Sequence, residues 1–177
     1  ELVIPKTFNG KQITVLGNSS STPLIDYAGK AKTQFELTLT ENIREIKGYT
    51  FYTMWVKKVK GDSSGLNKIG DYAFSWANSP DGYKLDIKLD YEGVISIGTG
   101  IFNNMNVTMR LKHATKFNTT SFSAQKVTYD FTDAHTYGDP TWQWADDHSS
   151  AKAKFTCTDS RCKHTETVNA TVAKNDL

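Results

Sequence analysis

Leu66-Asn67-Lys68-Ile69-Gly70-Asp71-Tyr72-Ala73-Phe74 and Val94-Ile95-Ser96-Ile97-Gly98-Thr99-Gly100-Ile101-Phe102 are two copies of one pattern: an isoleucine, a glycine directly after it, and a phenylalanine five positions on. The same spacing joins Ile46 to Phe51, with the glycine one place later at Gly48, and Phe117 to Phe122. Three residues before each lead residue stands another small or apolar side chain, at Ile43, Leu66, Val94 and Ala114. A degenerate first copy puts Ile13 and Leu16 in the same frame, with Ser21 in place of the phenylalanine. The four phenylalanines are 23, 28 and 20 residues apart, which is the length of a leucine-rich repeat once a loop insertion is allowed. That insertion is Ala77-Asn78-Ser79-Pro80-Asp81-Gly82.

Between the copies, apolar and polar residues alternate: Phe35-Leu37-Leu39, Leu85-Ile87-Leu89, Val107-Met109-Leu111 and Val127-Tyr129-Phe131. A period of two marks a strand with one buried face, and no long stretch keeps the helical spacing. A repeat this short cannot bury its apolar side alone, so the copies must stack. The expectation is a mainly β leucine-rich-repeat solenoid over residues 1–132, with short helical or irregular turns. Its strands near 36–39, 85–89, 107–111 and 127–131 run parallel in one sheet, and Ile46, Phe51, Ile69, Phe74, Ile97, Phe102, Phe117 and Phe122 line one core. The glycines after the isoleucines read as turns at positive φ. Trp55-Val56-Lys57-Lys58-Val59-Lys60 shows no clean apolar face, which leaves the register of that strand open.

The two quoted segments resemble the repeat of the BspA-like leucine-rich-repeat proteins of bacterial surfaces. Leu2-Val3-Ile4-Pro5 followed by Phe8-Asn9-Gly10-Lys11-Gln12-Ile13 is similar to the lead-in of such arrays, and Leu37-Thr38-Leu39-Thr40-Glu41-Asn42-Ile43 to a repeat start, with Thr40 where the family usually has Pro. The family often places Cys or Asn three residues after the phenylalanine. Here Met54, Ala77, Met105 and Gln125 stand there, so apolar packing rather than a polar ladder is expected to join the copies. The resemblance implies an extracellular, secreted or surface-attached protein that adheres to a protein on a host or neighbouring cell.

At Asp133-Ala134-His135-Thr136-Tyr137-Gly138-Asp139-Pro140 the repeat frame stops and turn residues gather. Residues 133–177 are read as a separate small β-rich module, or as the start of a following repeat. The stretch from His135 through Val172 resembles a small module of similar bacterial surface proteins. Its cysteines, Cys157 and Cys162, bracket Thr158-Asp159-Ser160-Arg161, a loop suited to a hairpin. Of two readings, a Cys157–Cys162 disulfide without a metal is the expected one, and an oxidising compartment favours it. Its alternative is a zinc site of Cys157, Cys162 and His164, with His135 as a further ligand.

Other function classes find little footing. Lysine and arginine total 21 against 19 acidic residues, so there is no basic field for nucleic acid. No apolar run approaches the roughly 20 residues of a membrane-spanning helix. The chain begins at Glu1 without a signal-type core, as a processed or excised fragment does. His113, His135, His148 and His164 lack a catalytic setting, Asp146-Asp147 reads as a solvated turn, and there is no phosphate-binding glycine loop. The expectation is therefore a non-enzymatic module without a cofactor that binds a surface protein. Two alternatives are a carbohydrate-binding module using Trp55, Trp76, Trp142 and Trp144, and a passive spacer in a larger surface protein. Loop insertions in repeat proteins collect on functional faces, which nominates Trp76, Asn78, Asp81 and Tyr83 as a contact loop.

Overall fold

Alternating apolar residues in the computed structural model form strands that return in the same direction turn after turn. The structure describes residues 1–18, 23, 34–75 and 83–173, and the chain divides into two compact units, Glu1–Thr132 and Asp133–Leu177. Along the first run β1 (Leu2–Val3), β2 (Thr7–Phe8), β3 (Lys11–Gln12), β4 (Val15–Leu16), β5 (Phe35–Leu39), β6 (Glu45–Ile46), β7 (Val56–Gly61), β8 (Lys68–Ile69), β9 (Lys84–Leu89), β10 (Val94–Ile97), β11 (Asn106–Leu111), β12 (Lys116–Phe117) and β13 (Lys126–Phe131). Strands β1, β5, β7, β9, β11 and β13 make a six-stranded parallel sheet, and β4, β6, β8, β10 and β12 a second parallel sheet of five. This is a β-solenoid of about four turns. Among the described residues there is no helix, and the connections are irregular turns.

Each coil sends one strand to each sheet and buries the side chains between them. Ile46, Phe51, Ile69, Phe74, Phe102 and Phe122 lie in a single core, with Ile97 and Phe117 half-buried against it. The phenylalanine rings form a continuous column. Phe51 and Phe74 stack at 5.3 Å, Phe74 and Phe102 at 6.1 Å, and Phe102 and Phe122 meet at 5.9 Å. Met54 and Met105 are buried in the core, filling positions where a polar ladder would otherwise run. Some polar stitching remains: Thr50 Oγ1 donates to Leu16 O, Ser63 Oγ to Lys88 O and Thr115 Oγ1 to Tyr91 O, each reaching into a neighbouring coil.

Three details differ from the sequence reading. Val94 and Ala114 are exposed, and the buried side chains beside them are Ile95 and Thr115. In such short strands the inward position is set by pairing, here Ile95 with Phe117 and Ile97 with Ile69, rather than by a fixed offset from the phenylalanine. The glycines after the isoleucines serve close approach and not positive φ. A Cβ on Gly70 would lie 2.4 Å from Gly48 N, and one on Gly98 2.4 Å from Asp71 N. The left-handed residues come three places after the isoleucine, at Tyr49, Tyr72 and Gly100. Finally, Phe8-Asn9-Gly10-Lys11 is a tight hairpin of β2 and β3, with both central residues at positive φ, the conformation that Asn-Gly favours.

The open register of the second copy resolves into a bulge. Phe35 pairs with Val56 but Glu36 pairs with Lys58, so Lys57 is the extra residue. It lets Val56 and Val59, three apart, both point into the core.

The second unit is built differently. Strands β14 (Thr141–Trp144), β15 (Ala151–Thr156) and β16 (Thr165–Ala170) form an antiparallel sheet in the order β14-β15-β16. Its described buried apolar residues are Ala151, Ala153, Cys157 and Cys162.

Candidate functional site

Outward-pointing residues of the six-stranded sheet form cross-strand rows, because parallel register carries like positions side by side. One row runs Glu36, Lys58, Asp86, Thr108, Thr128. Across the next, Thr38 adjoins Lys60, and Lys88 adjoins Arg110, which in turn adjoins Asp130. All are exposed or half-buried except Thr108. Lys60 Nζ lies 2.7 Å from Glu36 and 2.9 Å from Glu1, Lys88 pairs with Asp90 at 2.7 Å, and Arg110 with Asp130 at 3.6 Å. Hydrogen bonds from Lys60 hold Glu36 and Glu1 below the ordinary carboxylate range, and the same bonds raise Lys60 to about 12. The face is polar and of mixed sign.

Of the nominated contact loop, Trp76, Asn78 and Asp81 lie outside the described residues. Tyr83 is buried: its ring sits 5.9 Å from that of Trp55, and its hydroxyl donates to Val56 O at 2.6 Å. Burial raises its ionisation well above the usual phenol range. Tyr83 is a packing residue and not an exposed aromatic.

In the second unit the cysteine pair is brought together as the hairpin spacing requires. Cys157 follows β15, and its backbone bridges Tyr137. The loop to Cys162 is held by Asp159, whose Oδ1 accepts from Arg161 N at 2.9 Å and whose Oδ2 accepts from Arg161 Nη2 at 2.6 Å. Cys162 N closes the turn onto Asp159 O, and Cys157 N donates to His164 O. Both cysteines are buried and stand as thiols. His135 Nδ1 is 3.5 Å from Cys162 Sγ, and a His135 ring nitrogen and both sulfurs lie within 4.8 Å of one another. His164 stands outside that set. Its ring stacks on His135 at 4.0 Å, its Nδ1 is 3.2 Å from the Tyr137 hydroxyl, and its backbone N–H donates to Cys162 Sγ. Burial pushes the Cys162 thiol up, and the N–H bond from His164 opposes that shift.

The same unit carries two exposed tryptophans. Trp142 and Trp144 alternate on β14, so both point to one side, with ring centres 6.5 Å apart and each about half exposed (52% and 54%). Trp55, by contrast, packs against the solenoid core. Asp147, beside Asp146, accepts from Ser149 N and Oγ, the pattern of a capped turn. Comparison with protein-family models, with curated proteins and with solved structures finds no match to this chain.

Proposed function

We propose that the chain is a non-catalytic binding module of a bacterial surface or secreted protein, of the BspA-like leucine-rich-repeat kind, and that it adheres to a protein partner through the outward face of its six-stranded sheet. The observation that supports this reading is the row of in-register charges. Lys58 stands between Glu36 and Asp86, and Arg110 between Lys88 and Asp130, across five neighbouring strands. Such complementary charge patterns select partners and steer encounter more than they add raw affinity. The strands fix the backbone beneath these side chains, so docking orders side chains and not a disordered segment.

The test is surface plasmon resonance of the chain against a panel of extracellular-matrix glycoproteins, at two salt concentrations. Binding that weakens with salt and is lost in Lys88→Glu/Arg110→Glu supports the proposal. Binding indifferent to both changes removes the sheet face from the account, and silence across the panel favours the passive spacer. A second reading rests on Trp142 and Trp144, whose exposed rings can stack on sugar rings. A glycan array with a hit that disappears in Trp142→Ala/Trp144→Ala, and survives the charge reversals, would favour it.

A further inference from the structure

The 45 residues from Asp133 to Leu177 form a unit of their own, yet two alanines and two cysteines are the apolar residues buried among its described positions. Four small buried side chains, with Tyr137 and Phe155 half-buried at a ring distance of 6.2 Å, make a slight core against the conformational entropy of ordering such a chain. Units of this size are held by disulfides or by a metal. A Cys157–Cys162 disulfide would close a loop of six residues and add no cross-link to the segment around His135 and Tyr137, which meets the hairpin through hydrogen bonds. A metal would tie all of it.

The geometry favours the metal. Zinc binds sulfur at about 2.3 Å and imidazole nitrogen at about 2.0–2.1 Å in a tetrahedron, which places neighbouring N and S ligands about 3.6 Å apart. His135 Nδ1 and Cys162 Sγ are 3.5 Å apart, and Cys157 completes a triangle with every edge within 4.8 Å. Three separate features deliver the ligands. Tyr137 bridges Cys157, which brings the His135 segment against the end of β15. The Asp159–Arg161 turn returns Cys162 beside Cys157. The His164 N–H then donates to Cys162 Sγ, the kind of outer hydrogen bond that orients a metal ligand. The stacked ring of His164 fixes the plane of His135 from behind.

We propose that Cys157, Cys162 and His135 bind a zinc ion that staples this C-terminal unit, the fourth position being filled by water or another side chain. On binding, each cysteine that becomes a thiolate ligand releases its proton to solvent, and no electron is transferred. His164 is a positioning residue in this arrangement.

The full chain, purified under reducing conditions, is titrated with Co²⁺ as a spectroscopic stand-in for zinc, and its zinc content is measured by mass spectrometry of the metal. The expected result is one equivalent of metal, the visible bands of tetrahedral cobalt, and a near-ultraviolet sulfur-to-cobalt band displaced by zinc. Cys157→Ser/Cys162→Ser should abolish the sulfur band. His135→Ala should keep it while weakening binding by about tenfold or more, and His164→Ala should keep the cobalt bands with a smaller loss. A chelator should open residues 133–173 to proteolysis and leave the solenoid resistant. No sulfur-to-cobalt band in the reduced wild-type chain would overturn the proposal without recourse to any variant. So would binding unchanged in the double cysteine variant, or a chain that keeps a Cys157–Cys162 disulfide with zinc in excess under the same conditions.

Discussion

The rings of Phe51 and Phe74 lie 5.3 Å apart and within 17° of parallel, although 23 residues of chain separate them. Phe74 also stacks on Phe102, so it sits at the middle of the column with a ring on each side. Both contacts and the space they fill are lost in Phe74→Ala. The expected cost is about 3–5 kcal/mol, the range for truncating a buried phenylalanine, read from the urea midpoint. Phe122, at the end of the column and 9% exposed, should cost less. Equal losses at the two positions would mean the column is not the cohesive element.

Gly70 faces backbone rather than a movable side chain. Its added Cβ would stand 2.4 Å from Gly48 N and 2.9 Å from Gly48 Cα, so Gly70→Ala must spread two coils apart. A loss of about 1–3 kcal/mol is expected. Gly138→Ala is the control, since its Cβ meets Thr158 Cγ2 at an ordinary 3.7 Å. Calorimetry showing the two variants alike would contradict the close stacking.

Deleting one lysine of the Lys57-Lys58 pair removes the bulge and restores strict alternation from Val56 to Gly61. Stability should change by less than about 1 kcal/mol, because the apolar side chains keep their face. Deleting Asp86 from β9 turns Leu85 or Ile87 outward and should unfold the sheet. Thermal melts of the two deletions separate these outcomes.

Glu36 is held below its ordinary value of 4.5, chiefly by the hydrogen bond from Lys60. A lowered folded value means that the pair's small contribution is complete above the unfolded value and is lost as pH falls through the folded one. Carbon-detected NMR titration should place the Glu36 midpoint below 4.5 and return it toward 4.5 in Lys60→Met. The effect on stability should be slight, since exposed ion pairs contribute little. An unmoved midpoint in the variant would show that Lys60 is not the cause.

The solenoid was legible because strand alternation and the five-residue spacing from Ile46, Ile69, Ile97 and Phe117 to a phenylalanine are local and occur four times. What escaped depends on contacts across coils. The bulge at Lys57 is visible only against β5, and the inward choice of Ile95 over Val94 is set by Phe117. The Asn9-Gly10 hairpin carried a plain local signal that the resemblance to a lead-in overshadowed. At the cysteines the hairpin was readable from spacing. Which histidine ring lies beside the sulfur was not, because His135 comes to Cys162 through the Tyr137–Cys157 bridge, while His164 meets Cys162 Sγ through its backbone N–H.

Register between β9, β11 and β13 holds at six consecutive positions, although Lys84 to Asn106 is 22 residues and Asn106 to Lys126 is 20. The longer coil from Lys58 to Asp86, 28 residues, enters the same rows. Apart from the bulge at Lys57, length differences are thus absorbed outside the sheet, and the strands act as a ruler that resets at every coil. Such a chain separates two kinds of inherited change. Insertions and deletions can be taken up in the connecting segments without shifting a displayed charge, while the charges themselves can be exchanged one by one without disturbing the fold beneath.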